Sequence, residues 1–431
     1  MRQRKPARNK VNYASQFLYS CFDATGYHFS NHESDDQDQF RNTHWNTING
    51  GNQVRQLHRI QSINYGFQTN FIDINEYGKS ARIDKTFLET PNVSLDFEYA
   101  LAEGYNEQVA GFVIDGENPL FRKLIVPEDR LFGQNFFTVQ VPDGHDVINA
   151  NLDNFDEKDV EVVGIGNAFL NQYAVTAEVG SLPKARMSYE ASNIRSYKGF
   201  KNLPLPSYNF KEPTYFSNAK FSIPNTYESF LYEKLKAIED IVYEPANTGV
   251  GPGNLKISLD NAGYISKNIS DLYNYDQGAA SIQGFTLNVS LGNTRLNRIG
   301  TYLEFGRTYN FPLTIQFQVR AILGDIRQTS DLCEIFQGKK HNIVIMVKDP
   351  RSVCEDNGSL EQAEMNMAFY IKGASLDTEA FSSSISDNKI VDLNFTAQYG
   401  GIEDRDNGLF MYGSSYFPDR PRIVAWGRPL F

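Results

Sequence analysis

Residues 60–78 read IQSINYGFQTNFIDINEYG, and residues 282–300 read IQGFTLNVSLGNTRLNRIG. At a spacing of 222, Ile60 and Gln61 meet Ile282 and Gln283, Ile74 and Asn75 meet Leu296 and Asn297, and Gly78 meets Gly300. Each stretch then runs into an alternating segment opened by a proline. After Pro91 come Val93, Leu95, Phe97 and Tyr99; after Pro312 come Leu313, Ile315, Phe317 and Val319; Gly104 and Gly324 close the two strands. Matched in that order, the strands stand at a spacing of 220, which implies two one-residue deletions between the copies. Apolar residues at every second position mark a strand with one face buried and one in water. The pattern predicts one β unit used twice.

The order of elements agrees further along. Residues 106–113 (NEQVAGFV) and 330–337 (SDLCEIFQ) each read as a short helix, followed by the β-rich runs FFTVQV from Phe136 and NIVIMV from Asn342. Tyr173, Val175, Ala177 and Val179 alternate, as do Ala185, Met187, Tyr189 and Ala191. In the second half Met367, Phe369 and Ile371 alternate, then Val391, Leu393, Phe395, Ala397 and Tyr399. The expected fold is mainly β: two tandem, related antiparallel β-sandwich or half-barrel domains, each with a short helix, plus a joining helix. Residues 1–40 form a basic arm and lead-in, 41–200 the first domain, 201–250 a Pro- and aromatic-rich linker, and 251–431 the second domain. Asn225 or Thr226 can cap a linker helix over 227–242, where Phe230, Leu231, Leu235, Ile238, Ile241 and Val242 recur at helical spacing.

Charge narrows the function classes. The chain has 41 basic and 52 acidic residues among 431, a net charge of −11. Such a balance argues against a protein that grips nucleic-acid phosphates. Arg2, Arg4, Lys5, Arg8 and Lys10 all fall in the first ten residues; taking their five charges from −11 leaves −16 for the rest. This arm is either a solvated terminus or a segment that docks on an acidic neighbouring subunit. Three cysteines, Cys21, Cys333 and Cys354, suit a reducing compartment. The basic start leads into VNYASQFLYSCF, which lacks the apolar core of a secretory leader, and no run approaches a membrane span.

Chemistry is hard to find. His28 and His32 have a helical metal spacing, but YHFSNHESDDQDQ has no apolar face to seat a helix, so a solvated loop is expected there. Asp153 to Asp159 lacks the turn glycine and the twelfth-position glutamate of a calcium loop. Gly249, Gly251 and Gly253 follow the linker helix rather than a strand and include Pro252, so they form a turn and not a phosphate cradle. The expectation is no enzyme, no cofactor and no metal. Two similar β units without a reaction centre suit assembly or binding. Three chains carrying two units each would supply six similar positions in a closed ring, where edge strands of neighbours meet.

One stretch resembles a known family. RIQSINYGFQTNFIDINEYGKSARIDKTFLETPNVSLDFEYALAEGYNEQVAGFVIDG, from Arg59, is similar to tail-tube (major tail) proteins of long-tailed bacteriophages. The cues are a strand, a loop with Asn75 and Gly78, Thr90-Pro91 leading into VSLDFEY, and a Gly104-x-Asn106 turn with its helix; AVTAEVGSLPKARMSYEASNI resembles the closing strands. The doubled chain is similar to two-domain tube proteins that form trimeric, pseudo-hexameric rings. The resemblance implies a virion tail component assembled in the bacterial host cytoplasm. Its partners would be further copies of itself, other tail proteins, and double-stranded DNA that passes without specific binding; no membrane insertion is implied. A tail-tip, baseplate or receptor-binding β-sandwich protein is the alternative. The polar residues of the doubled strand, Ser94, Asp96 and Glu98 with Thr314, Gln316, Gln318 and Arg320, are expected to line the channel; an ordinary solvated outer face is the competing reading. The loops 71–90 and 293–311, with Asn75, Gly78, Lys79, Arg82, Asn297, Gly300 and Arg307, are expected to touch the next ring or a neighbouring domain.

Overall fold

The computed structural model describes residues 13, 16–22, 54–88, 91–102, 104–125, 134–142, 145, 159–198, 202–205, 214–217, 221–222, 250, 254–259, 280–297, 299, 304, 306–323, 340–348, 365–382, 390–401 and 404–413. The first strands are β1 (Gln16–Phe22), β2 (Val54–Gln56), β3 (Ile60–Gln68), β4 (Phe71–Ile74), β5 (Asp84–Phe87), β6 (Asn92–Ala100), β7 (Asp115–Pro119), β8 (Gln134–Gln140), β9 (Glu161–Glu178), β10 (Lys184–Ala191) and β11 (Asn193–Lys198). Short strands β12 (Asn202–Leu205), β13 (Thr214–Ser217) and β14 (Phe221–Ser222) follow. The second half holds β15 (Leu255–Leu259), β16 (Ala280–Ser290), β17 (Asn293–Leu296), β18 (Gly306–Tyr309), β19 (Thr314–Leu323), β20 (Lys340–Lys348), β21 (Met365–Ser382), β22 (Ile390–Gln398) and β23 (Gly408–Gly413). The chain is mainly β, as its alternating apolar pattern requires.

Eight strands form one antiparallel layer in the order β3–β6–β10–β9–β16–β19–β22–β21. Two long strands of 18 residues leave this layer and enter a second one. The first half of β9 pairs with β8 and β11, and β8 with β1. The first half of β21 pairs with β20 and β23, and β20 with β15. Apolar side chains from both layers close on one another. Phe97 of β6 and Tyr189 of β10 meet Phe136 of β8, with ring centroids 5.8 and 4.7 Å apart. Tyr173 of β9 meets Phe369 of β21 at 6.4 Å, so the two halves of the chain share one continuous buried cluster. Each fully buried aromatic of this kind contributes roughly 1.5–3 kcal/mol.

The two halves carry their irregularities at matching places. A bulge between Ile60 and Ser62 faces Tyr99 and Glu98; a bulge between Ile282 and Gly284 faces Ala321 and Arg320, each partner 222 residues on. The hairpin pairs Phe71 with Phe87 and Asn293 with Tyr309 also stand 222 apart. A bulge at Gln134 and Phe136 recurs at His341 and Ile343. A third, opposite Ser188 and Tyr189, recurs opposite Asn394 and Phe395. These registers correct the strand alignment read from the sequence: Phe97 corresponds to Val319 and Leu95 to Phe317, at 222 and not 220, with no deletion between. Alternating strands match equally well at any even shift, so apolar periodicity alone could not choose. An even shift keeps every side chain on its face, and only the pairing changes: Ser94, Asp96 and Glu98 correspond to Gln316, Gln318 and Arg320.

The short helix spans Tyr105–Val109, ending before the expected Val113. It opens on Gly104, whose φ of 85° is the left-handed region; a Cβ there would lie 2.9 Å from Met411 Cε. The Asn106 side chain pairs with the His58 backbone as a strand would: its amide donates to the His58 carbonyl at 2.7 Å, and its oxygen accepts from the His58 N–H at 2.8 Å. Glu107 is buried, and its Oε1 accepts from the Tyr99 and Tyr173 hydroxyls at 2.6 and 3.0 Å. Burial raises the Glu107 carboxyl above its ordinary value, against the opposing pull of those hydroxyls. The linker helix over 227–242 and the second short helix at 330–337 lie outside the described residues.

Candidate assembly surface

Burying Val93, Leu95, Phe97 and Tyr99 turns Ser94, Asp96 and Glu98 away from the core. The ladders then place their neighbours. Glu98 faces Arg186, Arg186 faces Ala174, Ala174 faces Asn288, Asn288 faces Gln316, and Gln316 faces Thr396. Directly opposed residues share a face, so Ser94, Asp96, Glu98, Thr314, Gln316, Gln318 and Arg320 all lie on one continuous polar surface that crosses the β9–β16 joint. This surface is acidic and its cations are occupied. Lys184 pairs with Glu98 at 2.9 Å, Arg186 with Asp96 at 3.1 Å, and Arg320 with Asp392 at 2.9 Å. A shallow groove follows the joint, lined by Glu178, Gly284, Gln318, Arg320 and Asp392. Gly284 suits the close approach of β9 there, because a Cβ would crowd the Ala177 carbonyl oxygen at 3.0 Å.

Both segments expected to be loops contain hairpins, β4–β5 and β17–β18. The second arches from the end of β16 over β9, β10 and the start of β6. Its Arg307 has a fully buried side chain that donates to Glu304 at 2.7 Å and to Glu190 of β10 at 3.1 Å, and lies over the Phe169 ring of β9 at 5.0 Å. Glu304 also accepts from the Ser192 hydroxyl at 2.6 Å, and Arg295 donates to the Asn92 side chain. The network closes the joint within one chain.

Hairpin β4–β5 is different. Asn75, Gly78, Lys79 and Arg82 are exposed, with Arg82 ion-paired to Asp73 at 2.9 Å. Phe71, Ile72, Ile74, Tyr77 and Ile83 are exposed as well. Asn297 is exposed, whereas Gly300 and the arm residues Arg2, Arg4, Lys5, Arg8 and Lys10 lie outside the described residues, as do His28 and His32. Sequence reasoning did not single out Lys184, Arg186 or Asp392, although the alternation of Ala185 to Ala191 and of Val391 to Tyr399 would have placed them on this face. Nothing in the sequence marked Glu304 as buried, since its setting depends on a hairpin folding across another strand pair. Among the described residues no three His, Cys, Asp or Glu side chains converge as a metal set, and no helix is long and apolar enough to cross a membrane.

No family model matches the sequence, and no curated protein matches it. Among solved structures the chain is similar to a crystal structure of an Hcp protein, with 9% identity and a TM-score of 0.18 over 37% of this chain and 96% of that one. It is also similar to a chain of the six-fold symmetrised cryo-EM structure of the anti-feeding prophage (AFP) baseplate, with 10% identity and a TM-score of 0.20 over 37% of this chain and 91% of that one.

Proposed function

We propose that this protein is a structural subunit of a phage-type tail that closes into rings and stacks into a tube for passing DNA. One observation carries the reading: two strand sets with matched bulges build a single eight-stranded layer whose outward face is polar, acidic and continuous across their joint. Such a layer is a segment of a larger curved wall. In this reading 41–200 and 251–431 are the two tube domains, three chains give six similar positions, and the polar face lines the channel. Every cation on it that faces a carboxylate is already paired, so the DNA backbone finds nothing to hold and slides. The basic arm docks on an acidic neighbour, hairpin β4–β5 takes part in contacts between subunits, and other tail proteins cap the tube. No catalysis, cofactor or metal enters the mechanism. Assembly would take place in the bacterial host cytoplasm and the product would sit in the virion tail.

Negative-stain microscopy of the purified protein tests this. Hollow tubes or rings with an open centre are expected. Compact solitary particles that never close would reject the tube and favour a tail-tip, baseplate or receptor-binding role instead.

A further inference from the structure

The β9–β16 joint is a template for a second joint, between chains. By the bulge registers, β21 stands where β9 stands and β3 where β16 stands. Among the described residues, β3 and residues 376–382 of β21 each have a ladder on one edge alone, with β6 and β22. The side chains agree. Leu287 and Val289 of β16 are 0% exposed, covered by β9, whereas their counterparts Tyr65 and Phe67 on β3 are 38% and 66% exposed. On the other edge, Val175 is 0% exposed and its counterpart Phe381 39%. Hairpin β17–β18, which follows β16, arches over β9 and β10; hairpin β4–β5 follows β3 in the same way, and its Ile72, Ile74 and Ile83 are exposed.

We propose that β21 of one copy pairs antiparallel with β3 of a second copy in the register of the internal joint, with hairpin β4–β5 of the second copy clasped over β21 and β22 of the first. This deepens the ring reading and rests on it. Carrying the ladder across, Ala174 opposite Asn288 becomes Ala380 opposite Gly66 of the second copy, and Gln172 opposite Ser290 becomes Thr378 opposite Gln68. The two joints differ in chemistry. The internal one is closed by the buried Arg307–Glu304–Glu190 network, whereas Arg307 corresponds to Lys85 and Glu304 to Arg82 in the clasping hairpin, whose exposed side chains include Ile72, Ile74 and Ile83 beside the Arg82–Asp73 pair. The apolar part of the chain-to-chain joint, from Tyr65, Phe67, Ile72, Ile74 and Ile83, is weakened by cold, as apolar contacts are.

Opposed strand residues lie about 4.5–5.5 Å apart at Cα, within the range a disulfide spans. The test uses the full chain as Ala380→Cys and Gly66→Cys single variants, with the unsubstituted protein as control for its own cysteines. A Cβ added at Gly66 meets nothing within 4 Å, and Ala380 is exposed. Mixed and oxidised, the two variants are expected to give a covalent dimer absent from either variant alone, and the double variant a ladder of multimers. Thr378→Cys with Gly66→Cys, out of register by two, should couple far more weakly. Absence of the mixed dimer overturns the proposal whether or not rings form. Rings seen by microscopy without that dimer would leave the ring reading standing and reject this joint. Phe67→Lys, at an exposed site, should stay folded and lose assembly; assembly undiminished would also overturn it.

Discussion

Replacing Arg307 by methionine probes how the two halves of the chain are held. The Arg307 side chain is fully buried, with Glu304 at 2.7 Å and Glu190 at 3.1 Å. Methionine fills much of the volume and removes the charge, leaving the equally buried Glu304 carboxylate behind. Breaking a buried pair from one side costs about 3–5 kcal/mol. Glu304 keeps the Ser192 hydroxyl at 2.6 Å and Arg295 at 3.6 Å, so the lower end, about 3 kcal/mol, is expected. With a urea slope of about 3 kcal/mol/M the unfolding midpoint, followed by circular dichroism, should fall by about 1 M. Adding Glu304→Gln removes the stranded charge and should recover most of the loss, because buried pairs replaced on both sides are often neutral. A single variant that unfolds where the parent does, or a double variant that loses the sum of both, would refute a buried ion network as the closure of this joint.

Glu107 makes stability depend on pH. Burial raises its carboxyl above the ordinary 4.5, so the folded chain keeps the proton to higher pH than the unfolded chain. Its contribution is full below 4.5 and is lost as pH rises through the raised value; Glu107→Gln should remove that decline and gain on the parent as pH rises, seen in denaturant midpoints across pH. Parallel curves for the two proteins would sink the argument. Asp96→Asn, Glu98→Gln and Asp392→Asn together release Arg186, Lys184 and Arg320 from their ion pairs. The triple variant should retard duplex DNA in a gel at low salt where the parent does not, with a log–log salt slope near about −3 for three phosphate contacts; no retardation would show that ion pairing is not what keeps the face from binding DNA.

Much of the layer was legible because alternation is a strong signal when one face is buried. Val93 to Tyr99 and Ala185 to Ala191 could hardly be anything but strands, and they fixed the polar face by exclusion. The same regularity hid the register: a strand of apolar residues at every second position slides by two without penalty, and only the backbone bulges at Ile60 and Ile282 settled it. The Gly104-x-Asn106 cue was readable as a turn, but its reason lies 48 residues away at His58, which no local pattern shows. The closure by Arg307 and Glu304 was out of reach for the same cause. A charged pair three residues apart in a polar hairpin reads as surface, and becomes interior only when another strand pair lies beneath it.

The long strands β9 and β21 have a mechanical consequence. Each belongs for half its length to one layer and for half to the other, a run of roughly 60 Å of unbroken backbone. Layers joined by side chains alone can slip past one another under load. Here a force applied to one layer reaches the other through covalent bonds, and slippage would have to strip both ladders of the same strand at once. The sandwich is thus braced like a woven sheet, in which the thread that makes the front also makes the back.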